Sequence, residues 1–165
     1  MTGAKPKLLF LCGKMASGKS TLAAELARAE GAILLVQDEF LEKLFPGEIV
    51  DIPTFVKYST RLRKALTRHV CVLLTRGVSV VLDFPANTKL QRAWFRELFE
   101  GADVPHELHF VDASDELCKR QLRERSGKLP AGSAFTSDAE FEAITAYFQA
   151  PSLEEGFNVV RHARA

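Results

Sequence analysis

The stretch that decides the fold is Leu8-Leu9-Phe10-Leu11-Cys12-Gly13-Lys14-Met15-Ala16-Ser17-Gly18-Lys19-Ser20. Its first five residues are apolar without interruption, which is typical of a strand buried on both faces of a parallel sheet. Residues 13–20 match the pattern G-x-x-x-x-G-K-[ST], and the alanine- and leucine-rich run 21–28 predicts a helix that stops at Gly31. A strand, a glycine-rich loop and a helix in this order predict a phosphate-binding loop.

Each residue type in this loop suits contact with a chain of phosphates. Gly13 and Gly18 allow the backbone to curl so that successive N–H groups point at phosphate oxygens, and the helix N-terminus adds a partial positive charge. Lys19 is predicted to reach the β- and γ-phosphates, and the Ser20 hydroxyl to be an oxygen ligand for Mg²⁺. The residues predicted to contact the nucleotide are Gly13, Lys14, Met15, Ala16, Ser17, Gly18, Lys19, Ser20, Thr21 and Arg120.

The rest of the chain alternates short apolar runs with longer amphipathic ones. Further strands are predicted at 32–36, 78–82, 108–111 and, from a weaker signal, 157–160. Further helices are predicted at about 55–76, 89–100 and 115–125. This alternation predicts an α/β fold, a doubly wound parallel sheet of five strands whose ligands bind at the carboxyl ends of the strands.

Composition and charge exclude several classes of protein. A length of 165 residues with 47% hydrophobic and 26% charged residues is ordinary for one soluble globular domain, here 1–165. With 22 basic and 21 acidic residues, the formal net charge of +1 provides no global field for long nucleic acids or an anionic membrane. The apolar run 8–12 is too short for a signal peptide or a membrane span, which predicts a cytoplasmic protein.

The cysteines and histidines show no spacing typical of a metal or redox site. Cys12, Cys71 and Cys118 are far apart and lie in apolar runs, so buried free thiols are favoured over a redox or metal role. The four histidines suggest no zinc site.

Two acidic residues follow predicted strands and are expected at the carboxyl edge of the sheet. Asp83 ends the third apolar run, where it could hold Mg²⁺ near Ser20; the alternative is a helix cap or turn. Asp38 follows the second run and could accept the proton of an acceptor hydroxyl that attacks the γ-phosphate. Taken alone, Asp38 would suit an N-cap of the next helix about equally well, and the phosphate-binding loop favours the general base.

Three arginines end the fourth predicted helix, before a polar, glycine-containing segment that could form a lid at about 126–136. Arg120, Arg123 and Arg125 could be solvated, as arginines at helix ends usually are. With the loop present, we expect at least one of them to stabilise charge on the transferring phosphoryl group.

A basic stretch on the long middle helix has two interpretations. Its members are Arg61, Arg63, Lys64, Arg68 and His69. A solvated helix face is favoured, and the alternative is a surface that binds a phosphate of the acceptor. Trp94 is predicted to be a packing residue.

These residues together resemble those of small P-loop kinases of the AAA_33 type, which include polynucleotide kinase, zeta toxin and chloramphenicol phosphotransferase. The similarity rests on 13–20, Asp38, Asp83, the run Arg123-Glu124-Arg125 and the tail 148–157, which is similar to the closing motif of polynucleotide-kinase domains. The resemblance implies ATP and Mg²⁺ as cosubstrates, Asp38 as general base, and a lid arginine in the Arg123/Arg125 pair. It also implies strand order 2-3-1-4-5 with helices on both faces.

The sequence departs from polynucleotide kinases where they bind nucleic acid. Gln37 stands where those kinases usually carry arginine, and Asp83-Phe84-Pro85-Ala86-Asn87 replaces their Asp-x-Thr-Asn. Both changes favour a small-molecule hydroxyl acceptor over a polynucleotide 5′-hydroxyl, which stays as an alternative. A regulatory module that binds nucleotide with little transfer is a further alternative. The guanine-reading motif Asn-Lys-x-Asp is missing, which disfavours a GTPase, while GTP as donor stays open. The oligomeric state is not predicted.

Overall fold

Five parallel strands form one sheet in the order β2-β3-β1-β4-β5. The structure is a computed structural model, and it describes residues 5–129 and 137–165. The strands are β1 (Leu8–Gly13), β2 (Ile33–Val36), β3 (Val80–Asp83), β4 (His106–Ala113) and β5 (Val159–Arg164). The predicted α/β class and strand order are confirmed.

The helices lie on both faces of the sheet. They are α1 (Lys19–Glu30), α2 (Gln37–Leu44), α3 (Ile52–Thr75), α4 (Lys89–Ala102), α5 (Asp115–Ser126) and α6 (Asp138–Thr145), with a 3₁₀ turn at Leu153–Glu155. The sequence reasoning missed α2 and α6, which have eight residues each. Helix α2 follows β2 without a capping side chain, whereas α6 begins with a capping box of Ser137 and Glu140 that the sequence does contain.

Strand β1 is the centre of the core, because all six of its residues are buried. Leu8 and Phe10 point to the face covered by α3 and α4, where the Phe10 ring stacks on Phe95 at 4.4 Å. Leu9 and Leu11 point to the opposite face, which α1 covers. This two-residue period explains why a continuous apolar run was the right signal for the central strand.

Strand β5 differs from its prediction. It spans Val159–Arg164 rather than 157–160, and each of its residues is exposed or part-buried. It is an edge strand paired only with β4, so it can carry Arg161 and His162 without burying them. The apolar residues that predict a strand therefore cover only its first half.

The three cysteines are free, and two of them are buried as predicted. Burial raises the pKa of the Cys12 thiol to about 12, so this side chain behaves as a small apolar group. The prediction of burial was wrong for Cys71, which is only part-buried at the contact between α3 and α4. Within residues 5–129 and 137–165, no cluster of three or more histidine, cysteine or acidic residues could hold a metal ion. No helix in the same described residues is both long and apolar enough to cross a membrane.

Candidate active site

The glycine-rich loop wraps around the ammonium group of Lys19. This residue opens α1, and its Nζ donates hydrogen bonds to the backbone oxygens of Gly13, at 2.6 Å, and Lys14, at 2.8 Å. Burial lowers the pKa of Lys19, and the negative charge of Asp83 acts in the opposite direction. The loop therefore holds a cation at the N-terminus of a helix, which is the arrangement that attracts phosphate.

Two positions in the loop favour glycine, one because the backbone of β4 is close and the other because its φ is positive. A Cβ at Gly13 would lie 2.8 Å from the Val111 carbonyl oxygen, which belongs to the backbone and cannot move aside. Gly18 has φ of +103° and faces the guanidinium of Arg164, which a Cβ would strike. Arg164, the last residue of β5, was not among the predicted site residues.

Ser20 and Asp83 meet beside the loop. The Ser20 hydroxyl donates a hydrogen bond to Asp83 Oδ2 at 2.7 Å. Asp83 is the last residue of β3, so the parallel sheet places it at the carboxyl edge as predicted. An alcohol and a carboxylate oxygen are ligands that Mg²⁺ accepts, and this pair fits such an ion next to the phosphate-binding loop.

Asp38 lies in the first turn of α2 and does not cap that helix. The N-cap is Val36, which pairs with Asp83 across the sheet, so the two acids emerge from neighbouring strands. Although Asp38 is open to a cavity, the surrounding protein raises its pKa through desolvation, and the charge of Asp83 adds to this effect. The positive charges of Arg125 and Lys19 act against it.

One large cavity of about 1600 Å³ joins the loop to the two acids. Residues 14–21, Asp38, Asp83 and Arg125 all line it. Its other walls come from α3 and α4, through residues that include Arg63, Lys64 and Trp94. Trp94 packs on Phe84 and Phe95, as a packing residue would, but it also forms part of this wall.

Of the three arginines of α5, one lines the cavity and two do not. Arg125 lines the cavity. Arg123 is largely exposed and pairs with Asp138 of α6, with 2.6 Å between Nη2 and Oδ2. Arg120 is exposed and, like Arg123, does not line the cavity. Most of the predicted lid, 126–136, lies outside the described residues.

The chain matches a family model described as an AAA domain, AAA_33, over residues 8–151. It belongs to this family. No curated protein matches the chain.

Three solved structures show what fold this AAA domain shares. An inferred kinase from Chloroflexus aurantiacus has a TM-score of 0.75 and 21% identity, and the match covers 97% of this chain and 89% of that one. APS kinase CysC from Mycobacterium tuberculosis, in complex with AMPPNP and APS, has a TM-score of 0.62 and 19% identity over 96% and 88%. The Pnkp1/Rnl/Hen1 RNA repair complex contains a chain with a TM-score of 0.70 and 22% identity over 95% and 48%. At these identities the matches establish the fold, which is that of small P-loop kinases.

Asn87 is a site residue of the AAA domain that the sequence reasoning did not assign. Its Oδ1 accepts a hydrogen bond from the backbone N–H of Gly13 at 2.9 Å, which ties the loop between β3 and α4 to the phosphate-binding loop. The Asn87 N–H in turn donates to Gln91 Oε1 at 2.8 Å. The available signal is an asparagine shortly after the acid that ends β3, in the run that departs from the Asp-x-Thr-Asn motif.

The tail motif of the AAA domain supports that same β3–α4 loop. The backbone N–H of Gln149 donates to the Asn87 carbonyl oxygen at 2.8 Å. Arg92, which is fully buried, pairs with Glu155 at 2.8 Å and donates to the Ala86 carbonyl oxygen at 2.9 Å. The tail therefore helps to position Asn87 at the site. These contacts join residues that are far apart in the sequence, so no local sequence pattern predicts them.

Proposed function

We propose that this AAA domain is an ATP-dependent kinase that transfers the γ-phosphoryl group of ATP to a hydroxyl group of a small-molecule acceptor. The observation that carries the proposal is that Asp38 and the phosphate-binding loop open into one cavity, together with Asp83 and Arg125. A nucleotide sensor needs the loop, whereas a carboxylate with a raised pKa facing the loop suits the activation of an acceptor.

In the proposed reaction, Asp38 takes the proton from the acceptor hydroxyl as its oxygen attacks the γ-phosphorus. The bond between the γ-phosphorus and the oxygen bridging to the β-phosphate breaks, and ADP leaves with that electron pair. Lys19 and Arg125 neutralise charge on the transferring group, and removal of one such contact costs roughly 3 kcal/mol, or about a hundredfold in rate. Mg²⁺, held by Ser20 and Asp83, would neutralise charge on the β- and γ-phosphates. Arg123 and Arg120 could take part only after moving into the cavity.

Replacement of the proposed base tests the kinase against the regulatory module. Asp38→Asn should lower phosphoryl transfer from γ-labelled ATP at least a hundredfold, because no carboxylate remains to accept the proton, while nucleotide affinity stays near the wild-type value. Glu39→Gln is the matched control, since Glu39 is exposed on the same turn of α2 and does not line the cavity. Slow ATP hydrolysis that is identical in wild type and Asp38→Asn would instead support the regulatory module.

A polynucleotide 5′-hydroxyl is the second candidate acceptor, because the RNA repair complex shares the fold and two basic residues of α3, Arg63 and Lys64, line the cavity. Gln37 disfavours it: this side chain is 1% exposed and faces no solvent from which to meet a backbone phosphate. Incubation with γ-labelled ATP and a 5′-hydroxyl oligonucleotide decides the question, and we expect no labelling of the oligonucleotide.

A further inference from the structure

Helix α3 turns one polar face toward the cavity. Ser59, Thr60, Arg63, Lys64 and Thr67 line it, at the spacing of three and four residues that places side chains on one side of a helix. The other members of the basic stretch, Arg61, Arg68 and His69, are exposed and do not line the cavity. The stretch thus separates into a solvated part and a part that faces the proposed acceptor.

Arg63 is the unusual member of this face. Its Nη2 donates to the Pro85 carbonyl oxygen at 2.8 Å, and its guanidinium lies 5.4 Å from the ring centre of Trp94. Its Nε is buried and has no hydrogen-bond partner among the described residues. Burial lowers the pKa of Arg63 to about 10, so the surroundings oppose the charge rather than stabilise it.

No acid of the described chain neutralises this guanidinium. The acidic residues that line the cavity are Asp38, Glu42, Asp83 and Glu97. None of them forms an ion pair with Arg63, and the lowering of its pKa has burial as its only cause. Removing a charge from water without a counter-charge is unfavourable, so such a group in a cavity wall is typical of a site whose counter-charge arrives with the ligand.

We infer that Arg63 binds an anionic group of the acceptor, so that the substrate of this kinase is a small hydroxyl compound carrying a carboxylate or a phosphate. This inference rests on the proposed function for the acceptor and adds its chemical class. The planar guanidinium of Arg63 lines the cavity, has donors in a fork that fits both anions, and has no counter-charge of its own. Lys64, exposed at the same wall, adds a second positive charge.

Anion binding is measured first, independently of catalysis, with the phosphate-binding loop saturated by AMPPNP, whose γ-phosphoryl group occupies the position that ADP would leave open to added anions. Sodium sulfate and inorganic phosphate are compared with sodium chloride at equal ionic strength in thermal unfolding. At about tenfold Kd we expect either anion to raise Tm by roughly 3–6 °C in wild type. Arg63→Met should lose this shift, and Arg68→Met, exposed on the same helix, should keep it. An equal shift in Arg63→Met would overturn the inference.

The acceptor class is tested with related hydroxyl compounds that either carry or lack an anionic group. Glycerol, glycerate and glycerol 3-phosphate share three carbons, and glucose and gluconate form a second pair; each is offered with γ-labelled ATP. We expect phosphoryl transfer to the compounds that carry an anionic group. A comparison of glycerate with glycerol 3-phosphate then shows whether Arg63 prefers a carboxylate or a phosphate. Arg63→Met should lower kcat/KM for the charged acceptor by about a hundredfold, mainly through KM.

The outcomes separate this inference from the proposed function. Transfer to neutral acceptors with equal efficiency overturns the inference and leaves the kinase intact. Transfer to none of the compounds, with the anion-dependent rise in Tm still lost in Arg63→Met, supports the anion site and counts against the kinase. If Arg63→Met does not fold, the same measurements are made with Arg63→Lys. The comparison of charged with neutral acceptors in the wild type also tests the inference without any variant.

Discussion

The carboxylate of Asp38 is open to the cavity, yet its pKa is raised, because the cavity walls reduce its hydration and Asp83 adds negative charge nearby. Arg125 and Lys19 limit this increase. A base of this kind binds its proton more tightly than an ordinary aspartate, and so removes one more readily from an alcohol. The pKa of this one side chain of α2 is thus set by charged groups from three other elements, β3, α5 and α1.

We expect the pH dependence of kcat/KM to report the raised pKa of Asp38. Activity should fall as the pH drops through the raised pKa of Asp38, with the acidic limb above the value of about 3.9 for a free aspartate. Arg125→Gln removes a positive charge that favours the carboxylate, so the acidic limb should move to higher pH while kcat falls. Glu39→Gln should leave the limb in place, and a shift to lower pH in Arg125→Gln would contradict the assignment.

Contacts between elements explain what the tail motif does. The 3₁₀ turn at Leu153–Glu155 places Glu155 against Arg92 of α4, and this pair holds the loop that carries Asn87. The Arg92 side chain has no exposed area and that of Glu155 is 13% exposed, so water cannot hydrate Arg92 and hydrates Glu155 only in part if the partner is removed. The tail and the site are coupled by a buried ion pair.

Glu155→Gln should destabilise the protein by about 3–5 kcal/mol, because it leaves the buried Arg92 charge without its counter-charge. The double variant Arg92→Met/Glu155→Gln should lose less stability than the sum of the losses of its two single variants. Urea unfolding measures the free energy of unfolding of each variant. Glu100→Gln, which removes the exposed pair with Arg96, should cost at most about 0.5 kcal/mol; costs of equal size for Glu100→Gln and Glu155→Gln would count against the coupling.

For the whole molecule, the phosphate-binding loop connects the most buried strand to the first helix. Gly13 ends β1 and Lys19 begins α1, so a ligand held between them stabilises elements on which the core depends. Binding at the loop should therefore appear in global unfolding rather than only locally.

ADP with Mg²⁺ at 100 times Kd should stabilise the fold by about 2.7 kcal/mol, a rise in Tm of roughly 5–11 °C for a chain of this size. Lys19→Met should abolish most of this rise, since it removes the cation that the loop surrounds. The shift on adding ADP is compared within each variant, which separates binding from any change in basal stability. Lys43→Met, exposed at the end of α2, is the control, and an unchanged shift in Lys19→Met would exclude this mode of binding.

The strand order and the phosphate-binding loop could be predicted because their signals are local or follow from a family pattern. Continuous apolar runs mark strands buried on both faces, and residues 13–20 carry their chemistry in eight consecutive positions. Helix α2, which lacks a capping side chain, was not predicted, and β5, whose exposed edge needs no apolar pattern, was predicted with different bounds. The roles of Asp38, Lys19 and the arginines stay predictions.

By itself, the sequence determined the loop, the class of fold and the two acids at the strand ends, since each depends on neighbouring residues or on the shared edge of a parallel sheet. Only the tertiary structure decided which of several similar cations face the cavity. Arg125 rather than Arg123, and Arg63 rather than Arg68, line it because of the rotation of α5 and α3 about their own axes, which packing on the sheet sets. The buried contact of Arg92 with Glu155 likewise joins residues 63 positions apart, and it exists only once α4 and the tail have packed together.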